Sequence, residues 1–241
     1  MSSAKSVLAT AVFSLAALGF LGSAPALAGV VVKSSGPSAG SYPVGKRLDD
    51  AASITLKTGD SITVLTDSGT RVITGPGTHR VGARGASKRT TFAMLTRQRA
   101  GARVRTGAVR GGPAGAASNP NLWNVDTSQA GKICLPGSDA ITFWRPSVEG
   151  EETWVLGSAV SDFHVHVTFD DGDALASLSA EELPLERNRI YDFSGPTGGP
   201  RKRLEFVMLG SAPDNPEDLA VALAENGCNG QLDLLSEKLA S

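Results

Sequence analysis

Cysteine, histidine and aromatic residues are scarce in this chain. Its 241 residues include 2 cysteines, 3 histidines and only 5% aromatic side chains. Two isolated cysteines argue against a cysteine-ligated metal centre, which needs about four ligands at close spacing. The apolar fraction of 41% is nonetheless that of a folded soluble protein. The composition therefore predicts one large or two small domains.

Long apolar runs are absent after the N-terminal segment. No stretch beyond residue 28 reaches the roughly twenty apolar residues that cross a bilayer, so we expect no membrane span there. Residues 1–28 combine Lys5, an apolar run over Val7–Leu21 and the small-residue site Ala26-Leu27-Ala28. This order is typical of a secretory signal peptide cleaved after Ala28. A retained N-terminal anchor is the alternative. With the signal peptide cleaved, we expect a periplasmic or secreted protein.

Acidic residues are missing between Asp67 and Asp126, where every charged side chain is basic. From Asp126 onward acidic residues outnumber basic ones, with clusters at 149–152 and 170–173. This separation indicates either a surface for an anionic partner or two halves that neutralise each other. Nucleic acid is not an expected partner, because the basic run has few aromatic residues for stacking on bases. The run contains Arg71, Arg80, Arg84, Lys88, Arg89, Arg97, Arg99, Arg103, Arg105 and Arg110, and its candidate partner surface is Arg97, Arg99, Arg103 and Arg105.

Residues 53–81 contain short β-rich runs separated by turn residues. Ile54 and Leu56 alternate with polar neighbours, as do Ile62 and Val64. This period of two predicts half-buried antiparallel strands joined by hairpins. The turn signals between the runs are Thr58-Gly59-Asp60, Asp67-Ser68-Gly69 and Gly75-Pro76-Gly77.

The same segment resembles the FecR-like periplasmic domain, a small β-roll of bacterial envelope proteins. The residues that carry the resemblance are Leu56-x-x-Gly59-Asp60-x-Ile62 and Asp67-Ser68-Gly69-Thr70-x-Val72-x-x-Gly75-Pro76-Gly77-Thr78. The resemblance implies a β-roll over this part of the chain and a place in the bacterial cell envelope.

The remaining patterns complete a mainly β architecture. We expect a FecR-like domain over 29–106 that ends in a basic helix, then a flexible linker over 107–120, which is rich in Gly, Ala and Pro. Residues 121–241 predict a small antiparallel β-sandwich-like unit with C-terminal helices. Within it, Pro216 and Gly227 are typical of the first turn and the C-cap of a helix.

The cysteines are Cys134 and Cys228, both in the predicted mature chain. An even number of cysteines in an exported protein predicts a disulfide between them. Two buried free thiols are the alternative.

His164 and His166 are the strongest metal-ligand candidates in the sequence. On a strand they share one face, while Val165 and Val167 share the other. Two imidazoles at this spacing could hold zinc or copper if Asp162 or Asp170 joined them. The polar face of an amphipathic strand explains the alternation equally well, so no metal ligand is assigned.

Other look-alike sites have structural explanations. Gly36-Pro37-Ser38-Ala39-Gly40 matches the nucleophile motif G-x-S-x-G, but the following Ser41-Tyr42-Pro43 does not start the helix that such a site needs. Trp123, Trp144 and Trp154 fit core positions, and exposed tryptophan would instead indicate a glycan-binding platform.

Taken as a whole, these patterns favour a non-enzymatic periplasmic binding or regulatory module of the cell envelope. The expected partner is an envelope protein or a glycan, and no cofactor or catalytic residue is expected. The alternatives are a hydrolase or metal-dependent enzyme without a recognisable motif, and a structural subunit of an envelope complex.

Overall fold

A computed structural model describes residues 27–49, 51–82, 87–97, 118–137, 140–185, 189–196 and 200–240. Residues 1–26 of the predicted signal peptide (1–28) and residues 107–117 of the predicted linker (107–120) lie outside the described residues. So do Arg84, Arg99, Arg103, Arg105 and Arg110. The described part is mainly β, as expected, with helices near its C-terminal end.

The elements follow one another as fourteen strands and three α-helices in the described ranges. They are β1 (Leu27–Ser35), β2 (Arg47–Asp49), β3 (Ser53–Leu56), β4 (Ser61–Thr66), β5 (Gly69–Thr74), β6 (Gly77–Arg80), α1 (Arg89–Leu95), β7 (Val125–Asp126), β8 (Gly131–Leu135), β9 (Ala140–Trp144), β10 (Glu152–Ser158), β11 (His164–Phe169), β12 (Leu175–Ser179), β13 (Ile190–Ser194), β14 (Lys202–Met208), α2 (Pro216–Asn226) and α3 (Asn229–Lys238).

The first unit is a four-stranded sheet in the order β2-β1-β4-β5, with the pair β3-β6 beside it. Strand β1 is buried on both faces. Val31 joins the core shared with β3, whereas Val30 and Val32 face the helices. Because successive side chains of a strand point to opposite faces, the run Val30-Val31-Val32 contributes to two cores at once.

The second unit is sandwich-like, with a five-stranded sheet β11-β10-β13-β14-β8 facing a three-stranded sheet β12-β9-β7. Its core holds Phe143, Phe169, Tyr191, Phe193 and neighbouring aliphatic residues. Most strand pairs are antiparallel, as expected. The pairs β14-β8 and β7-β9 are parallel, a feature that alternation along single strands does not reveal.

The C-terminal helices lie between the two units. Helix α2 begins as expected: Asn215 Oδ1 accepts a hydrogen bond from Asp218 N, Pro216 occupies the first turn, and Gly227 ends the helix with φ of 74°. One core joins Val30 of β1, Phe92 of α1 and the inner faces of α2 and α3. The described helices include none long and apolar enough to cross a membrane.

A disulfide joins Cys134 on β8 to Cys228 in the turn between α2 and α3. The two Cα atoms are 5.9 Å apart, within the range that a disulfide spans. The predicted pairing is therefore confirmed, and it fixes the helical pair to the edge of the five-stranded sheet.

Candidate functional site

The carboxylate of Asp60 joins its own turn between β3 and β4 to the loop that contains Ser38. Its Oδ1 accepts a hydrogen bond from Ser38 N at 2.8 Å, and its Oδ2 accepts one from Lys57 N at 2.5 Å. Desolvation opposes the charged form, yet the hydrogen bonds from Ser38 and Lys57 outweigh it and hold the pKa of Asp60 below its usual value. Ser38 therefore belongs to a loop that the carboxylate of Asp60 organises, and its main-chain N–H is committed to that contact.

The described members of the basic run lie on β5, on β6 and at or next to the two ends of α1. We call these residues the basic surface: Arg71, Arg80, Lys88, Arg89 and Arg97. All of these side chains are exposed except Lys88, which is half-buried. Of the four predicted partner-surface residues, the structure describes Arg97 alone, and it is exposed.

Few carboxylates lie near the basic surface. Arg89 Nε is 3.7 Å from Asp67 Oδ1, and Arg89 and Asp67 are close enough to Glu217 to affect its pKa. Burial is the main cause that raises the pKa of Glu217 above its usual value. Within the described ranges, the other four members of the basic surface have no carboxylate at ion-pair distance.

The edge of β5 beside the basic surface is covered at one end and open beyond it. Thr70 N donates to Leu239 O at 2.8 Å, and Thr70 pairs with Ala240 as an isolated parallel bridge. Past this bridge, Val72 has 62% of its surface exposed, and no described strand adjoins residues 71–74 on that side. An open strand edge can accept an extended segment of another molecule through main-chain hydrogen bonds.

The two acidic clusters meet around a buried arginine that the sequence did not single out. Arg145 is only 1% exposed and donates to the carbonyl oxygens of Asp173, Gly150 and Asp170 at 2.8 to 2.9 Å. Its Nη1 lies 3.6 Å from Glu152 Oε2. Arg145 thus binds the main chain of both acidic loops, and Glu152 is the carboxylate at ion-pair distance from it.

A cleft of about 350 Å³ opens between α3 and the end of β9. Asp126, Asp233 and Glu237 line it together with Trp144. Asp126 Oδ1 accepts hydrogen bonds from the N–H and hydroxyl of Ser128, which closes a turn. The lining residues include no histidine, and a second lining serine, Ser118, accepts a hydrogen bond from Lys238 Nζ.

The histidine pair is exposed on the outer face of β11. The ring centroids of His164 and His166 are 5.5 Å apart. Asp162 contributes its main-chain carbonyl to His164 Nδ1 at 3.2 Å, while the carbonyl of Asp170 is bound by Arg145. The described residues contain no group of three or more His, Cys, Asp or Glu side chains placed to hold a metal.

The three tryptophans occupy core or part-buried positions. Trp123 and Trp144 are 7% and 5% exposed. Trp154 is half-buried, stacks on Phe193 at 4.9 Å and lies beneath Lys202 Nζ at 5.3 Å. None of them presents the exposed ring of a glycan-binding platform, which agrees with the core interpretation.

Comparison with known proteins returned no match to this chain among protein-family models, curated proteins or solved structures.

Sequence reasoning found the cysteines, the histidine pair and the basic run, but missed Arg145 and Gln231. Both are polar residues buried by tertiary contacts. For Arg145, the only sequence signal is a single arginine after the apolar run Ile141–Trp144. That pattern does not distinguish a buried guanidinium from a surface charge.

Proposed function

We propose that this chain is an exported, non-enzymatic binding module of the bacterial cell envelope that holds an anionic partner on the basic surface. The observation that carries the proposal is the charge distribution. No described carboxylate lies at ion-pair distance from Arg71, Arg80, Lys88 or Arg97. Arg145 is instead buried and hydrogen-bonded to the main chain of the acidic loops. Unpaired exposed charges of one sign create a persistent potential that attracts the opposite charge.

Two further observations support a place in the envelope. The disulfide between Cys134 and Cys228 suits an oxidising compartment. The resemblance of residues 53–81 to FecR-like domains points to the same compartment and to a binding or regulatory role.

The partner class follows from the shape of the surface. The open edge of β5 offers main-chain hydrogen bonds beside Arg71 and the exposed Val72. An extended chain with regularly spaced negative charges satisfies both the edge and the cations. An acidic protein segment or an anionic glycan fits this description, whereas a neutral glycan does not.

Dextran sulfate and uncharged dextran test the proposal as a matched pair of probes. We expect the full chain to bind dextran sulfate and to lose affinity steeply as salt rises, because exposed charges are screened over about 8 Å at physiological ionic strength. The double substitution Arg71→Glu with Arg80→Glu should weaken binding about tenfold, equivalent to about 1.4 kcal/mol.

The control is Arg201→Glu with Arg203→Glu, two exposed positions in the sandwich-like unit. It makes the same charge change and should leave the affinity within about twofold. Replacing Arg97, Arg99, Arg103 and Arg105 with glutamine extends the test to the remaining part of the run. Equal losses in the control, or no binding of dextran sulfate at low salt, would refute the proposal.

A further inference from the structure

His164 and His166 stand apart from the basic surface on a different sheet. They lie on β11, the terminal strand of the five-stranded sheet, and both side chains are exposed. The alternate residue Val167 is fully buried in the core of the sandwich-like unit. Burial on one face of β11 thus fixes both imidazoles on the other face.

The spacing of the rings suits one shared metal ion. Nitrogen ligands lie about 2.0–2.1 Å from zinc, and roughly 1 Å more separates the nitrogen from the ring centroid. A shared ion therefore allows the two centroids to be up to roughly 6 Å apart. The observed separation is 5.5 Å, with the ring planes tilted by 36°.

A main-chain contact prepares one ring for coordination. His164 Nδ1 lies 3.2 Å from the carbonyl oxygen of Asp162. Since a carbonyl oxygen only accepts hydrogen bonds, this contact selects the tautomer that carries hydrogen on Nδ1. The lone pair is then on Nε2, and a hydrogen bond of this kind commonly orients histidine ligands of metals.

The neighbouring strand leaves the pair uncrowded. Gly157 lies directly opposite His164 on β10, and Val155 lies opposite His166. Neither residue brings a charge or a competing hydrogen bond. Neither imidazole forms an ion pair with a carboxylate in the described part of the chain.

We propose that His164 and His166 form a two-imidazole site for a divalent first-row transition metal, with Cu²⁺ bound most tightly. Imidazole suits copper, nickel and zinc, and copper heads the stability order of these divalent ions. The chain supplies two ligands, so the other coordination positions are open to water or to a donor from another molecule. This inference is independent of the anionic-partner proposal.

Titration of the full, untagged chain with Cu²⁺ alone tests the site. We expect one copper ion per chain by calorimetry, and nitrogen couplings from two imidazoles in the electron paramagnetic resonance spectrum. His164→Gln and His166→Gln should each weaken binding about tenfold or more, because each removes the chelate that makes the second bond intramolecular.

The remaining histidine of the chain gives a matched control. His79→Gln also removes one imidazole and should leave copper affinity within about twofold, since His79 lies on β6, outside the pair. Paramagnetic broadening of the unmodified protein offers a second readout that needs no substitution. We expect amide signals of residues 155–157 and 164–166 to broaden first. Unchanged affinity in a variant that combines His164→Gln with His166→Gln, or broadening elsewhere, would overturn the proposal.

Discussion

The side-chain amide of Gln231 completes both main-chain hydrogen bonds of Cys134. Gln231 Oε1 accepts from Cys134 N at 2.6 Å, and Gln231 Nε2 donates to Cys134 O at 2.8 Å and to Leu122 O at 2.9 Å. Cys134 lies on β8, the edge strand opposite β11. Gln231, on α3, thereby supplies the hydrogen bonds that a neighbouring strand would make with the edge of β8. It lies three residues after the disulfide partner Cys228.

Gln231→Leu should therefore destabilise the fold. The substitution keeps the volume roughly constant but leaves the N–H and C=O of Cys134 and the C=O of Leu122 without partners. A buried polar group without a partner costs about 1–3 kcal/mol, so we expect the free energy of unfolding to fall by about 3 kcal/mol. Denaturant titration of the oxidised protein measures this.

The control for Gln231 is Asp233→Ala, an exposed position on the same helix. It should change stability by less than about 0.5 kcal/mol. An equally small effect of Gln231→Leu would show that the edge of β8 does not need the amide.

The disulfide should contribute strongly because it closes a long loop. Cys134 and Cys228 are 94 residues apart in sequence. For a loop of this length the chain-entropy model gives about 4.7 kcal/mol. We expect Cys134→Ser with Cys228→Ser to lower the midpoint of denaturation, and a reducing agent to lower it in the original protein but not in this variant.

Peptide mapping without reduction provides the direct check on the disulfide. A linked pair of peptides should carry Cys134 and Cys228. Recovery of both thiols in alkylated form from exported protein would contradict the bond.

Arg145→Met should be among the most damaging single substitutions in the chain. Methionine retains part of the packing against Phe169, whose ring centroid is 5.2 Å from Arg145 Cζ. The substitution removes the hydrogen bonds to three carbonyl oxygens and the positive charge beside the Glu152 carboxylate. Removing one member of a buried charged network costs about 3–5 kcal/mol, which thermal or denaturant unfolding measures.

Arg145→Lys separates charge from geometry. Lysine keeps the charge but lacks the planar set of five donors, so we expect only partial recovery. Full recovery by lysine would mean that charge alone holds the loops at Gly150, Asp170 and Asp173.

Asp60 should make stability depend on acid pH. Its pKa is lower in the folded than in the unfolded chain, so the stabilisation is complete above the usual value of 3.8 and is lost as the pH falls through the folded-state value. Asp60→Asn should lower the thermal midpoint at neutral pH, because an amide has one oxygen for the two N–H groups of Ser38 and Lys57.

Asp49→Asn, at an exposed position of strand β2, is the control for the acid-pH experiment. It removes a carboxylate without comparable contacts, so the midpoint should be nearly unchanged. If Asp60→Asn gave the same thermal midpoint and the same acid sensitivity as the unsubstituted protein, the proposed role of Asp60 would be wrong.

Local patterns were enough for the strands whose two faces differ. Alternation in His164–Phe169 predicted both β11 and the exposed face that carries the histidines. Pro216 and Gly227 likewise marked the ends of α2, because a ring that fixes φ and a residue that tolerates positive φ act locally. Strand β12 has no comparable sequence signal, because Ala176, Ser177 and Ser179 give little hydrophobic alternation.

The sequence by itself determined the β-rich character, the disulfide pairing, and the separation of basic and acidic segments. Those properties depend on residue type and order along the chain. Tertiary structure alone decided that Arg145 is buried while Arg71 is exposed, and that Gln231 meets Cys134. Burial and hydrogen bonding between residues distant in sequence depend on which surfaces of the fold pack together. The sequence around an arginine does not show whether its side chain will be buried or exposed.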